Sequence, residues 1–307
     1  MTGPVIELDQ VVKRFSGGTL ALNGVSIAVH AGERACLLGP NGAGKTTVIR
    51  VLNGLLRPNA GQARLFGIAT DAADFLAAKR RVGVVPQGPG FYDELTAAEY
   101  LELARRVYGR GEVEATAALF DLEPHLAKPM AALSSGFQRR LLMAAALLSE
   151  PEVLLLDEPT VGLDPVAARE VRAHLRSAMA GRTVLFSTHN LAEAEALCDS
   201  VIVLREGRVL LHEPIATVRQ RFPQHALLAA RQGPEALTRA LSADGFESRI
   251  ANGAVEVPLA NPQDALPDLL RHLLAQGLDV YEAHTVEPSL EDIFVAVVKD
   301  GATGGPA

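Results

Sequence analysis

An α/β fold is what these 307 residues predict, on three observations. Short apolar runs bounded by glycine, asparagine or charge alternate with stretches of helical period, the pattern of a sheet flanked by helices. One such run, near residue 35, leads straight into a glycine-rich turn and then a helix. Apolar residues make up 48% of the chain, enough over this length for one domain of ordinary size and a smaller companion.

In chain order, residues 5–8, 26–29 and 35–38 read as strands. A helix starts at Thr46 and runs through Val48, Ile49, Val51 and Leu52 until Gly54 and Pro58 stop it. From about 88 to 150 the pattern is helical. Thr96 with Glu99 three residues on is a capping box, and Leu101, Leu103 and Val107 supply the apolar positions. Residues 153–156, 183–186 and 201–204 return to strand, alternating with helices over 165–179 and 190–197, which is the order of a parallel sheet. Arg205-Glu206-Gly207-Arg208 joins two apolar runs as a tight hairpin, and Pro214 and Pro223 bracket a linker helix. The boundary therefore falls near 220. Domain 1–220 contains a helical subdomain at about 88–150. Residues 221–300 form a small α+β domain, with strands at 226–230, 254–259 and 279–285 and helices at 234–244, 262–276 and 289–299. Residues 301–307 read as a flexible tail.

A net charge of −7 argues against a broad nucleic-acid-binding surface, which needs a clustered cationic excess. No cationic start precedes a long apolar stretch, and none reaches about 18 apolar residues. A cytoplasmic chain with no membrane span of its own is expected. Cys36 and Cys198 are too few for a disulfide framework and read as reduced, packed thiols.

The chemistry is concentrated in Gly39-Pro40-Asn41-Gly42-Ala43-Gly44-Lys45-Thr46, which fits G-x-x-x-x-G-K-[ST]. Its glycines let backbone N–H groups close around the phosphates of a nucleotide. Lys45 would bridge the β- and γ-phosphates, Thr46 would ligate Mg²⁺, and Thr47 adds a hydroxyl at the α-phosphate beside the positive end of the helix. Val153-Leu154-Leu155-Leu156-Asp157-Glu158 is an apolar strand ending in two acids. Asp157 then stands beside the Mg²⁺ shell and Glu158 beside an attacking water. Two carboxylates at a buried strand end are costly unless they are used.

Together with further segments in matching order, these motifs make residues 1–220 resemble the ATP-binding cassette family. Val85-Pro86-Gln87 resembles its glutamine loop, which implies that Gln87 reaches Mg²⁺ or the water. Leu133-Ser134-Ser135-Gly136-Phe137-Gln138 resembles the signature segment, implying that Ser134, Ser135 and Gly136 face the ATP of an opposing cassette. Gly162-Leu163-Asp164-Pro165 resembles the loop through which paired cassettes meet, giving Asp164 that role. Ser187-Thr188-His189 resembles the switch segment, so His189 would hold the γ-phosphate and Glu158. Phe15 matches the position of the adenine-stacking aromatic. The resemblance implies a P-loop NTPase cassette with a mixed sheet core, a helical subdomain and an antiparallel β subdomain.

Two departures stand out. Ser135 occupies the place of a usual glycine, adding either a Cβ at a crowded turn or one more hydroxyl donor. Phe137 replaces a usual glutamine and, followed by Arg139 and Arg140, resembles the drug- and antibiotic-export branch, as does Glu287-Pro288-Ser289-Leu290-Glu291-Asp292-Ile293-Phe294 near the C-terminus. The implied protein is a Mg-dependent ATPase subunit that pairs with a second cassette, in the simplest case as a homodimer. It would power export through separate integral-membrane subunits from the cytoplasmic face of the cell membrane. A non-transport ATPase of the same superfamily would be expected to carry tandem cassettes, coiled coils or basic insertions, none of which is present. A low-turnover regulatory cassette would draw support from Ser135 alone.

Overall fold

A computed structural model describes residues 3–88, 94–221, 224–251, 253–259, 262–286, 289–291 and 293–294, with backbone alone at 262 and 263. The tail 301–307, the residues Glu287, Pro288 and Asp292 of the C-terminal segment, and most of the helix expected over 289–299 lie outside these. The chain divides into two compact units, Met1–Pro214 and Ile215–Ala307.

In the first unit β1 (Ile6–Arg14) and β2 (Leu20–Val29) pair antiparallel, with Ile6, Leu8 and Val11 buried and Asp9 and Gln10 outward. That is the alternation of a strand with one face on a core. Gln10, at φ +49°, lies where the register shifts as in a bulge. β3 (Arg34–Leu38) is buried from Ala35 onward, and α1 (Lys45–Leu52) buries Val48, Ile49, Val51 and Leu52. β4 (Ala60–Leu65) and the short β5 (Ile68–Ala69) complete an antiparallel sheet of order β2-β1-β4-β5. After α2 (Phe75–Lys79) comes β6 (Val82–Val85).

The helical stretch contains α3 (Ala97–Tyr108), α4 (Val113–Leu119) and α5 (Ser135–Leu147). Thr96 caps α3 as expected: its hydroxyl accepts from Glu99 N, and Glu99 Oε2 accepts from Thr96 N at 2.8 Å. Gly109 ends the helix in the left-handed region. Then β7 (Val153–Asp157), α6 (Pro165–Met179), β8 (Thr183–Thr188), α7 (Leu191–Leu197), β9 (Ser200–Arg205) and β10 (Arg208–Pro214) follow. The second sheet has the order β10-β9-β3-β8-β7-β6, parallel except for β10. Every residue of β7 and β8 is buried, as parallel strands covered on both faces require. Glu206 and Gly207, both at positive φ, make the two-residue turn between β9 and β10. One apolar core joins both sheets through α1, including Ile6, Ile27, Leu37, Val48, Leu52, Leu65, Leu155 and Leu185.

The second unit contains α8 (Ile215–Gln220), β11 (Gln224–Ala230), α9 (Pro234–Ala243), β12 (Arg249–Ala251), β13 (Ala254–Leu259), α10 (Pro262–Ala275) and β14 (Val280–Val286). Its sheet is antiparallel, in the order β12-β13-β11-β14. Leu237 and Leu241 of α9 and Leu269 and Leu273 of α10 pack on Leu228, Val255 and Val257. No described helix is long and apolar enough to cross a membrane.

Candidate functional site

Three adjacent strands, β3, β8 and β7, end side by side, with Leu38 opposite Thr188 and Ser187 opposite Asp157. Their carboxyl ends are where open α/β sheets bind ligands. The loop 39–44 leaves β3 there. A Cβ on Gly39 would collide with the Leu204 carbonyl oxygen, and Gly44, at φ +109°, would place one 2.6 Å from the carbonyl oxygen of Ala21. Both positions therefore demand glycine. Gly44 offers no side-chain cap to α1, so the first-turn N–H groups stay available to an anion.

A cavity of about 410 Å³ opens here, lined by residues 41–47, by Gln87 and Glu158, and by Thr19, Leu20 and Ala21. Buried Lys45 donates from Nζ to the carbonyls of Gly39 (2.7 Å) and Pro40 (3.2 Å) and pairs with Glu158 Oε1 at 3.0 Å. The other carboxylate oxygen of Glu158 lies 2.6 Å from Nδ1 of His189, a contact that requires one proton between the two. Glu158 is 5% exposed and sits at φ +45°, where a non-glycine residue carries roughly 1 kcal/mol or more of strain. Its N–H donates to Ser187 Oγ at 3.0 Å, which helps hold that backbone in place. Asp157 Oδ1 accepts from Ser187 Oγ (2.7 Å) and Thr46 Oγ1 (3.2 Å). A second cavity of about 440 Å³ is lined by Gln87, Asp157, Arg50 and Asn53, so Gln87 faces both.

Other sequence-selected residues stand apart. Phe15 lies outside the cavity wall in the turn before Thr19, 39% exposed, with Lys13 Nζ 5.7 Å from its ring centre. Ser134 is the N-cap of α5, and Gly136 is buried where a Cβ would come within 3.2 Å of Ala167 on α6. Ser135 is exposed and avoids the left-handed region, so within its own chain the extra Cβ meets no strain. Asp164 caps α6, accepting from the N–H groups of Val166 and Ala167 at 3.0 Å each. None of these five lines the cavity of its own chain. Phe137 contacts His125, with ring centres 4.0 Å apart and planes tilted by 52°, and the Arg140 guanidinium, 4.8 Å from its ring centre.

Several site residues escaped the sequence reading. Thr19, Leu20 and Ala21 form wall without any motif. Glu193, on α7 and 2% exposed, accepts from Thr160 (2.7 Å), Thr188 (3.1 Å) and Arg172 (3.1 Å). This buried carboxylate ties the segment after Glu158 to the residue before His189. The only signal in the sequence would have been an acid on the inward side of a helix. Cys36 and Cys198 are both buried, and burial pushes the Cys36 thiol well up from its ordinary value, consistent with packed, inert thiols.

Residues 22–161 match the family described as ABC transporter, and 214–298 match one described as ATP-binding protein DrrA1-3-like, C-terminal domain. The chain is 38% identical over 302 residues to the Nod factor export ATP-binding protein I of Burkholderia lata, covering 95% of this chain and 97% of that one. It is 33% identical, over 98% of each chain, to the daunorubicin resistance ATP-binding protein DrrA3 of Streptomyces coeruleorubidus. Among solved structures, the dimeric cassette MJ0796 in a post-hydrolysis state with ADP and Pi is similar with a TM-score of 0.63 and 28% identity, over 68% of this chain and 98% of that one.

Proposed function

The chain belongs to the ATP-binding cassette family, and from that premise we propose how its residues divide the work of ATP hydrolysis. It is the ATP-binding and ATP-hydrolysing subunit of an export-type transporter, pairing with a second cassette and acting through separate membrane-spanning subunits. The observation that carries the assignment of roles is Glu158, held between Lys45 at 3.0 Å and His189 at 2.6 Å on the floor of the phosphate-loop cavity.

In this reading the loop 39–44, all but Pro40, and Thr47 present backbone N–H groups and a hydroxyl to the phosphates, and Lys45 neutralises the β- and γ-phosphates. The exposed ring of Phe15 offers a face to the adenine. Thr46 and Asp157, with hydroxyl and carboxylate oxygens 3.2 Å apart and Gln87 facing the same space, fit the hard-oxygen preference of Mg²⁺ and would hold it here. When bound, Mg²⁺ supplies positive charge for the phosphoryl group in flight. Glu158 orients or deprotonates water for in-line attack, while His189 keeps the carboxylate aimed and contacts the γ-phosphate. Ser134, Ser135 and Gly136 of a second copy close over the same ATP, with Asp164 at the meeting loops. Opening and closing of the pair then drives the membrane subunits from the cytoplasmic face.

Export relatives match nearly the full length and Gln87, Glu158 and His189 are all present, so the non-transport and low-turnover readings are not favoured. The cargo is selected by the spanning partner. Gentle detergent extraction of the tagged chain from its native cell should recover a multi-spanning protein in equal amount. Recovery with ribosomal or DNA-repair partners alone would overturn the transport reading while leaving the ATPase intact.

A further inference from the structure

We propose that Arg139 is a positioning residue that couples the two ATP sites of the paired cassettes. The inference rests on the reading above, in which Gln87 serves the ATP of its own chain while residues 134–136 serve that of a second copy.

Arg139 lies on α5, little more than one turn after Ser134, and is 7% exposed. Its Nη1 donates to the carbonyl oxygen of Pro86 at 2.7 Å and its Nη2 to that of Gln87 at 2.8 Å. No ion pair to it is found among the described residues. A buried cation is costly unless its donors are satisfied, and here two successive main-chain carbonyls satisfy the two arms of the fork. The planar guanidinium fixes direction as well as distance, so Pro86 and Gln87 take their position from α5. Burial depresses the Arg139 pKa from its ordinary value. The Asp157 carboxylate opposes that shift through its charge, while the hydrogen bonds go to the two carbonyls.

The consequence is mechanical. Residues 134–136 open the same helix, and a Cβ on Gly136 would come within 3.2 Å of Ala167, so α5 and α6 lie close together at this end. When the second copy's ATP draws the start of α5 toward it, Arg139 transmits the displacement to Gln87 in this chain's own site. Occupancy of one site is thereby felt in the turnover of the other.

The test uses the full chain and two variants, Arg139→Lys, which keeps the charge but loses the fork, and Arg139→Met, which removes both. Thermal unfolding checks that each is folded, and the lysine variant decides if the methionine variant is not. Equilibrium ATP binding should stay within about twofold of the parent protein, while kcat falls about tenfold or more because Gln87 is misplaced. The Hill coefficient for ATP hydrolysis should drop from above one towards one, and amide hydrogen exchange should quicken over residues 82–88. Unchanged kcat and Hill coefficient in a folded variant, or equal losses of ATP affinity and kcat, would overturn the proposal. So would a Hill coefficient of one in the parent protein. Glu158→Gln is run in parallel. Parental hydrolysis by that variant sinks the ATP-site reading itself, whereas an inactive Glu158→Gln beside parent-like Arg139 variants sinks only the coupling.

Discussion

Lys45, Asp157, Glu158, Thr188 and Glu193 are buried in the first unit, all around the ends of β3, β7 and β8, whereas the core cluster of the second unit, over its described residues, is apolar, and burial of polar groups there is confined to single atoms such as Thr238 Oγ1 and Ser248 Oγ. Both units rest sheets against helices. They differ in what the interior is allowed to contain. A buried charge costs several kcal/mol unless paired, so an interior that keeps four ionisable groups and the Thr188 hydroxyl, each with hydrogen-bonding partners, is shaped by what those groups do. An antiparallel sheet sealed by Leu237, Leu241, Leu269 and Leu273 is shaped by packing. The difference teaches where chemistry and where stability should respond to substitution.

The largest expected effect separates the two. Leu273→Ala should destabilise the second unit by about 2–5 kcal/mol, from lost burial and the cavity left behind, with kcat for ATP hydrolysis unchanged. A parallel fall in kcat, measured beside the thermal unfolding curve, would break the division. Next, Glu193→Ala leaves the donors of Thr160, Thr188 and Arg172 without their acceptor. It should cost about 1–3 kcal/mol and lower kcat, with ATP affinity kept, because His189 loses its support. Steady-state kinetics set against equilibrium binding check this. Thr96→Ala removes a cap that does not line the cavity and should cost about 1 kcal/mol in denaturant unfolding without touching turnover. The smallest effect is in pH dependence. Hydrogen bonds from Arg105, then Arg106, hold the exposed Glu102 carboxyl down from its ordinary 4.5 to about 2. A carboxylate with a depressed folded-state pKa contributes stability that is fully present above pH 4.5 and is lost as pH falls towards 2. The small stability difference between the parent protein and Glu102→Gln should therefore shrink over that window.

Much of the first unit was legible because its motifs are local. The run into residues 39–46, the apolar strand ending in Asp157 and Glu158, the Thr96–Glu99 box and the Glu206-Gly207 turn each carry their structural reason within a few residues. β4, β5, β6 and β12 were not read as strands. They are short, three of them two to four residues long, and β4 places exposed Ala60, Gly61 and Gln62 where a strand pattern would be apolar, so pairing with β1 rather than local propensity makes it a strand. The supporting contacts of the site were illegible for a different reason. Glu193 to Thr160 and Arg139 to Gln87 join residues 33 and 52 apart, and an acid or arginine on a helix looks solvent-facing until the fold closes around it. In the second unit the alternation of apolar runs was readable at 226–230 and 254–259, although Arg249–Ala251, largely exposed, left no such trace.

The central claim is that the carboxylate held between Lys45 and His189 is the base for hydrolysis, and a single-turnover measurement on Glu158→Gln tests it most directly. With ATP and Mg²⁺ in the purified chain, the account predicts ATP binding within about threefold of the parent protein and γ-phosphate cleavage slowed by about 10²–10⁴-fold, the usual worth of a positioned general base. Cleavage within about tenfold of the parent rate, in a preparation free of contaminating ATPase, would contradict it.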